Sequence, residues 1–413
     1  MNKLLNKYAE VVGEDVIQHL RQLSRPLQGK KIIHVNSTRE GGGVAEILHK
    51  LVPMMRDLDI DADWHVISGD NEFFQCTKAF HNALQGNRVA MPAGMIKSYE
   101  RTSAENAETL CPVLDSADFV FIHDLQPAAL LKLCGEHKGK WIWRCHVDIS
   151  RPYRLVWKYL HDFISIYDAS VFSLADFQKR LPHPQYIIPP SIDPLSEKNI
   201  DLPQEEIDAV CSGFQIDRAR PLIVQVSRFD RFKDPLGVIH AYQIAKRSIP
   251  ALQLVLAGGG ATDDPEGEAV FKEVEAVGAD DPDIHILMLP PDSHRIINAL
   301  QRAADIVLQK SIKEGFGLTV TEAMWKGKPV IGGNVGGIRL QVVNHHTGFL
   351  VDSPEGAALR IRYLLSHREK IAEMGEKTKR FARDNFLLTR QLRDYLTMLV
   401  SLSYGNISRI ELE

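Results

Sequence analysis

The sequence predicts an α/β protein built from two doubly wound, parallel-sheet (Rossmann-like) domains. Three observations carry that expectation. The chain has 413 residues, room for two domains of about 200 residues each. Short β-branched runs alternate with longer amphipathic stretches, the pattern of parallel βαβ units. A proline-rich passage from Pro189 to Pro194 interrupts this alternation, after which it restarts. The expected boundaries are a first domain over residues 1–190, a second over 191–385, and closing helices over about 386–413 that return to the first.

Taken in order, "MNKLLNKYAEVVGEDVIQHL" breaks its apolar residues with Lys7, Glu10, Glu14 and Asp15, which predicts an amphipathic helix and no secretory core. "KKIIHVNST" reads as a strand, Gly41 to Gly43 as a turn, "VAEILHKLVPMMRDL" as a helix and "DADWHVIS" as a second strand. "FVFIHD", "WIWRCHVD", "ASVFSL" and "QYIIPPSID" complete a first sheet. The second half offers the strands "PLIVQVS", "LQLVLAG", "DIHILML", "DIVLQ" and "PVIGG", with only helix expected after Asp352.

Composition narrows the function. With 44% hydrophobic and 25% charged residues the chain is an ordinary folded protein, and a net charge of -4 argues against broad binding to nucleic acid or an anionic membrane. No uninterrupted apolar run approaches membrane-spanning length. Cys76, Cys111, Cys134, Cys145 and Cys211 are scattered and odd in number, read as reduced thiols of a cytoplasmic protein, and no His/Cys cluster stands at zinc spacing.

In doubly wound sheets ligands bind beyond the carboxyl ends of strands, so residues just after strands are the candidates. "KSIKEGFG" follows "DIVLQ" and leads into the helix "LTVTEAMWK". Glu314 then leaves the strand-end loop, Glu322 lies in the helix, and the N–H groups of Gly315, Phe316, Gly317 and Leu318 line its N-terminus, a seat for phosphate or sugar oxygens. An acidic residue complementing a helix dipole explains Glu322 but leaves Gly-Phe-Gly unexplained. In "VSRFDRFKD", Arg228 and Lys233 could clamp a diphosphate; otherwise they are surface cations paired with Asp230 and Asp234. "STREGGGVAE" lets a ligand approach the backbone at Gly41, Gly42 and Gly43, yet it is no P-loop. His146 with Asp148, and His123 with Asp124, follow strands; such histidines are more often structural. Asp281 to Asp283 form a D-x-D triplet that falls before a strand, the wrong end for chemistry.

Across essentially the whole chain from about Lys30, these residues resemble the retaining GT-B glycosyltransferases of family four. The segments "HVNST", "GGGVAEILH", "FHNALQG", "WIWRCHVD", "PPSIDPLSEKN", "SRFD", "DDPEG" and "EGFGLTVTEAMWKGKPVIG" are similar to the trehalose glycosyltransferring synthases within that group. The resemblance implies two domains facing a central cleft, an acceptor-side first domain, and a nucleotide-sugar-binding second one. It also implies transfer of glucose from UDP-, ADP- or GDP-glucose to free glucose, reversibly giving α,α-trehalose. Glu314 and Gly315 to Leu318 would hold the glucose and Glu322 the ribose; Arg228 and Lys233 would neutralise the diphosphate. Gly41 to Gly43 would cover it, and the His146 carbonyl would lie by the anomeric carbon, with Asp148 nearby. Arg39-Glu40 and Phe232 depart from the expected pattern and bear on acceptor choice. No cofactor or metal is implied as required; Mg stimulation and a homodimer stay open, as does the base. The alternatives are a sucrose-type or glycogen-synthase-like transferase, a nucleotide-sugar-binding protein without catalysis, and a pyridoxal-phosphate phosphorylase.

Overall fold

The parallel strands expected from the sequence assemble into two separate sheets in the computed structural model, which describes residues 3–40, 42–259 and 265–405. The chain divides into two compact units, one taking it up to Ser191 and again from Leu388, the other spanning Ile192–Leu387.

In the first unit, β1 (Lys31–Asn36), β2 (Asp61–Val66), β3 (Phe119–His123), β4 (Lys140–Arg144), β5 (Ala169–Phe172) and β6 (Gln185–Ile187) form a sheet in the order β2-β1-β3-β4-β5-β6. Every pairing is parallel, for example His34 opposite Phe121 and His123 opposite Arg144. β3 and β5 are buried along their whole length, as strands covered by helices on both faces must be. Trp141, Trp143, Phe121 and Phe172 fill the layers beside them.

The second unit repeats the plan with β7 (Leu222–Val226), β8 (Gln253–Gly258), β9 (Ile284–Met288), β10 (Ile306–Gln309), β11 (Val330–Gly333) and β12 (Gly348–Val351), ordered β12-β11-β10-β7-β8-β9. β12 was not expected: "GFLV" is only four residues long and opens on a glycine, too short to show a period. The strand order reverses between β7 and β10, where Ile223 lies opposite Ile306. The loops after these two strands therefore open side by side at the carboxyl edge.

Two expectations need correction. The N-terminal segment is two helices, Lys3–Val12 and Glu14–Ser24, because Gly13 adopts φ 95, which a helix interior does not tolerate. The cysteines are not all thiols: Cys111 and Cys134 are joined in a disulfide with Cα atoms 5.3 Å apart, while Cys76, Cys145 and Cys211 are free and buried. Their helices, Ala93–Leu114 and Leu130–Cys134, are far apart in sequence, so spacing alone gave no signal for the pairing. No helix among the described residues is long and apolar enough to cross a membrane.

Candidate functional site

The two loops at the β7/β10 reversal carry most of the charge at this edge. After β7 the chain passes Arg228, makes a short turn over Arg231–Lys233 capped by the Asp230 side chain, and enters the helix Pro235–Lys246 through Asp234 at φ 50. After β10 it runs through Lys310 and Ser311 to Glu314 and into the helix Leu318–Trp325. Ile312 N–H donates to the Phe232 carbonyl at 2.8 Å, tying the loops together.

Lys233 Nζ lies 2.5 Å from Glu314 Oε2, and Ser311 Oγ donates to the same oxygen at 3.3 Å. The two side chains are 17% and 9% exposed, so this ion pair is only partly screened by water. Lys310 pairs with Asp234 beside it. Gln225 holds both loops: its Nε2 donates to the Lys233 carbonyl at 3.0 Å and its Oε1 accepts from Lys310 N–H at 3.2 Å. Arg228 behaves differently. Its side chain is 62% exposed and touches Asp230 Oδ2 at 3.0 Å.

Gly317 is required by shape. It sits at φ +88, and a Cβ there would meet Glu314 Cγ at 3.2 Å. Among the described residues the N–H groups of Gly315, Phe316 and Gly317 have no hydrogen-bond acceptor, at the N-terminus of the following helix. Buried Gln341 fixes this turn, donating to the Phe316 carbonyl while accepting from Thr321 Oγ1 at 2.5 Å. Glu322 is buried on that helix, and its Oε2 has no partner among the described residues. One turn on, Lys326 donates to Asn199 Oδ1 and to the Glu322 carbonyl, each at 3.2 Å. Burial pushes its ammonium down to about 7, with the Glu322 charge opposing that fall.

Of the residues expected from the sequence, Lys233, Glu314, Gly315, Phe316, Gly317, Leu318 and Glu322 share this edge of the second unit. Arg228 stands on the same loop but points into solvent. Lys310, Gln225 and Gln341 were missed, and Asp234, expected as a partner of Arg228 or Lys233, pairs with Lys310 instead. Lys310 follows a strand end and satisfies the rule used for the others; Gln225 and Gln341 lie inside regular elements, where sequence carries no such signal. The Asp281 and Asp283 carboxylates lie before β9, at the end of the sheet where the sequence put them, and take Lys246 Nζ at 2.5 and 2.8 Å.

The remaining residues belong to the first unit. Gly41 lies outside the described residues; Gly42, at φ 78, and Gly43 open the helix Gly42–Arg56. Arg39 lies over the Trp64 ring at 4.9 Å and donates to the Trp64 carbonyl, an arrangement that settles its charge. His146 ends a column of imidazoles. His34 Nδ1 is 3.1 Å from His123 Nε2, and His123 Nδ1 is 3.0 Å from His146 Nε2. Burial drives His34 down to about 3 and His123 and His146 well below the ordinary histidine range, so the column is neutral at pH 7. His146 N–H donates to Asp124 Oδ1 at 2.6 Å; Asp124 itself, at φ 62, is raised to about 6 by burial. Asp148 is buried and accepts from Ser150 N–H at 2.9 Å. Beneath the column Arg144 is fully buried, with its Nε and Nη1 unpartnered among the described residues. Also among the described residues, no group of three or more His, Cys, Asp or Glu could hold a metal ion.

Residues 212–381 match the family described as glycosyl transferases group 1, and residues 34–179 match the one described as trehalose synthase, N-terminal domain. The E. coli structure titled "Trehalose-6-phosphate from E. coli bound with UDP-2-fluoro glucose" superimposes with a TM-score of 0.72 at 13% identity, over 90% of this chain and 99% of that one. The fold of the two doubly wound units is that of the GT-B glycosyltransferases. The trehalose synthase of Pyrococcus horikoshii is 46% identical over 402 residues, 96% of each chain. This chain belongs to the trehalose synthase family. A trehalose phosphorylase of Pleurotus pulmonarius is 30% identical over 86% of this chain and 55% of its own length.

Proposed function

We propose that the protein transfers glucose from a nucleotide-glucose to free glucose, reversibly and with retention of configuration, to give α,α-trehalose. The observation that carries this reading is the Lys233–Glu314 pair beside three N–H groups unpartnered among the described residues at the β7/β10 reversal. Breaking the glucose–phosphate bond leaves an oxocarbenium-like sugar and new negative charge on the diphosphate. Lys233, Arg228 and the helix N-terminus act on that charge, and their effect is greatest in the transition state. Glu314 grips sugar hydroxyls. Held by Lys233 and Ser311, it is a poor nucleophile, unlike the free carboxylate of a retaining glycosidase. The leaving phosphate takes the acceptor's proton, and attack comes from the same face. Glu322 Oε2, without a partner among the described residues, accepts from the nucleotide ribose. From the first unit, the His146 carbonyl stabilises the developing positive charge, with Asp148 and Gly41 to Gly43 as binders.

The name and sequence of the Pyrococcus relative support the trehalose product, and the ligand in the E. coli structure's title supports the nucleotide-glucose donor. The phosphorylase relative motivates a second reading, in which glucose 1-phosphate is the donor. Incubation with UDP-, ADP- and GDP-glucose, and separately with glucose 1-phosphate, each with free glucose, followed by NMR of the product, tests both. α,α-Trehalose from a nucleotide-glucose supports the proposal. Trehalose from glucose 1-phosphate alone favours the phosphorylase, and sucrose, maltose or a glucan overturns the acceptor.

A further inference from the structure

The opposite edge of the second sheet holds a different cluster. Arg218, Arg220, Arg302, Lys328 and Arg368 line a cavity of about 270 Å³ at the amino ends of β7, β10 and β11, with Asp305 the one acid among its lining residues. Asp305 is already committed, accepting Leu222 N–H at 2.9 Å and pairing with Arg368. Three arginines pair with acids outside the cavity: Arg218 with Asp208 at 3.2 Å, Arg220 with Asp283 at 2.7 Å, and Arg302 with Asp201 at 2.8 Å. Those contacts, and others to backbone and Asn298, use only part of each guanidinium. Nη2 of Arg218 and Nη1 of Arg220 and of Arg302 have no acceptor among the described residues. Lys328 is half-buried, and its ammonium has no hydrogen-bond or ion-pair partner among the described residues.

That arrangement costs stability on its own terms. Burial, with Arg218 and Arg302 adding repulsion, holds Lys328 down to about 8 even though Asp305 opposes the fall. An anion would satisfy the uncommitted donors together, since planar guanidinium forks match phosphate oxygens. The volume is below the usual 300–1,000 Å³ of drug-sized clefts, which suits a phosphoryl group and little more. Nothing in the proposed transfer uses these residues, which stand at the amino edge of the sheet while Lys233 and Glu314 stand at the carboxyl edge.

We propose that this cavity binds a phosphoryl anion, free or as a small phosphomonoester, through Lys328 and the uncommitted nitrogens of Arg218, Arg220 and Arg302. Calorimetric titration of the full-length protein with inorganic phosphate, and separately with glucose 6-phosphate, tests it. Saturable binding should persist in Lys233→Ala, fall about tenfold or more in Lys328→Gln, and return in Lys328→Arg. Equal affinity for the two probes identifies the phosphoryl group alone as the ligand, and tighter glucose 6-phosphate identifies a phosphomonoester. Should Lys328→Gln not fold, Arg218→Gln reads the same loss. No binding to the parental protein, binding lost in Lys233→Ala but kept in Lys328→Gln, or unchanged affinity in Arg218→Gln overturns the proposal.

Discussion

The carboxyl edges of the two sheets treat charge in opposite ways. In the second unit it is kept and paired: Lys233 with Glu314, Lys310 with Asp234, Arg228 with Asp230. In the first unit it is suppressed, with three linked histidines held neutral and Asp124 raised by burial. Arg144 departs from this, a buried cation with two nitrogens unpartnered among the described residues. Paired charges can be traded for those of an incoming anion at little net cost, because the cation always has a partner. A neutral column cannot do that, but it fixes geometry, since both ring nitrogens of His123 are engaged, one with His34 and one with His146. The lesson is that equivalent edges of two similar sheets need not share an electrostatic task.

Breaking the pair in the second unit should give the largest effect. Lys233→Ala should slow transfer by roughly a hundredfold to a thousandfold, as lost stabilisation of a departing diphosphate does. It should also lower stability by about 2–3 kcal/mol, because Glu314 is left nearly buried and unpaired. A solvated surface cation would leave the melting temperature near parental; the ion pair with Glu314 changes that expectation. Lys233→Ala combined with Glu314→Gln should recover most of the melting temperature and none of the activity, measured by thermal denaturation and initial rates.

The first unit can be sharpened through pH. The folded pKa of Asp124 stands above its ordinary 3.8, at about 6, so its contribution to stability is full below 3.8 and is lost as pH rises through 6. Asp124→Asn removes this dependence while keeping an acceptor for His146 N–H and tolerating φ 62. Relative to the variant, the parental protein should lose about 2–3 kcal/mol between pH 4 and pH 7 in urea denaturation. A constant difference would mean that Asp124 titrates normally.

A smaller effect is expected at His34. His34→Phe keeps the stacking on Phe121, seen at 4.6 Å, but strips His123 Nε2 of its partner. The cost should be about 1–2 kcal/mol by chemical denaturation, with less for His34→Gln, which can still hydrogen-bond. The smallest stability change belongs to Arg228→Ala, within about 2 °C in melting temperature, because an exposed pair contributes little.

The sequence made the second unit's edge legible because its signals are local. Gly-Phe-Gly before a helix, and cations after a strand, are visible in a few consecutive letters. The histidine column was not legible: His34, His123 and His146 come from three different strands or strand ends, and only the sheet order brings them together. The Lys233–Glu314 contact spans 81 positions and escaped for the same reason. β12 and the Cys111–Cys134 bridge were hidden by brevity and by distance along the chain.

The most direct test of the claim that the second unit's cations act on the leaving diphosphate is calorimetric binding of nucleoside diphosphate and of free nucleoside to Arg228→Ala and Lys233→Ala. Both variants should bind the diphosphate markedly more weakly while nucleoside affinity stays near parental, because a nucleoside offers no phosphate for the pair to hold. Equal losses for the two ligands, or parental affinity for both, would contradict the assignment.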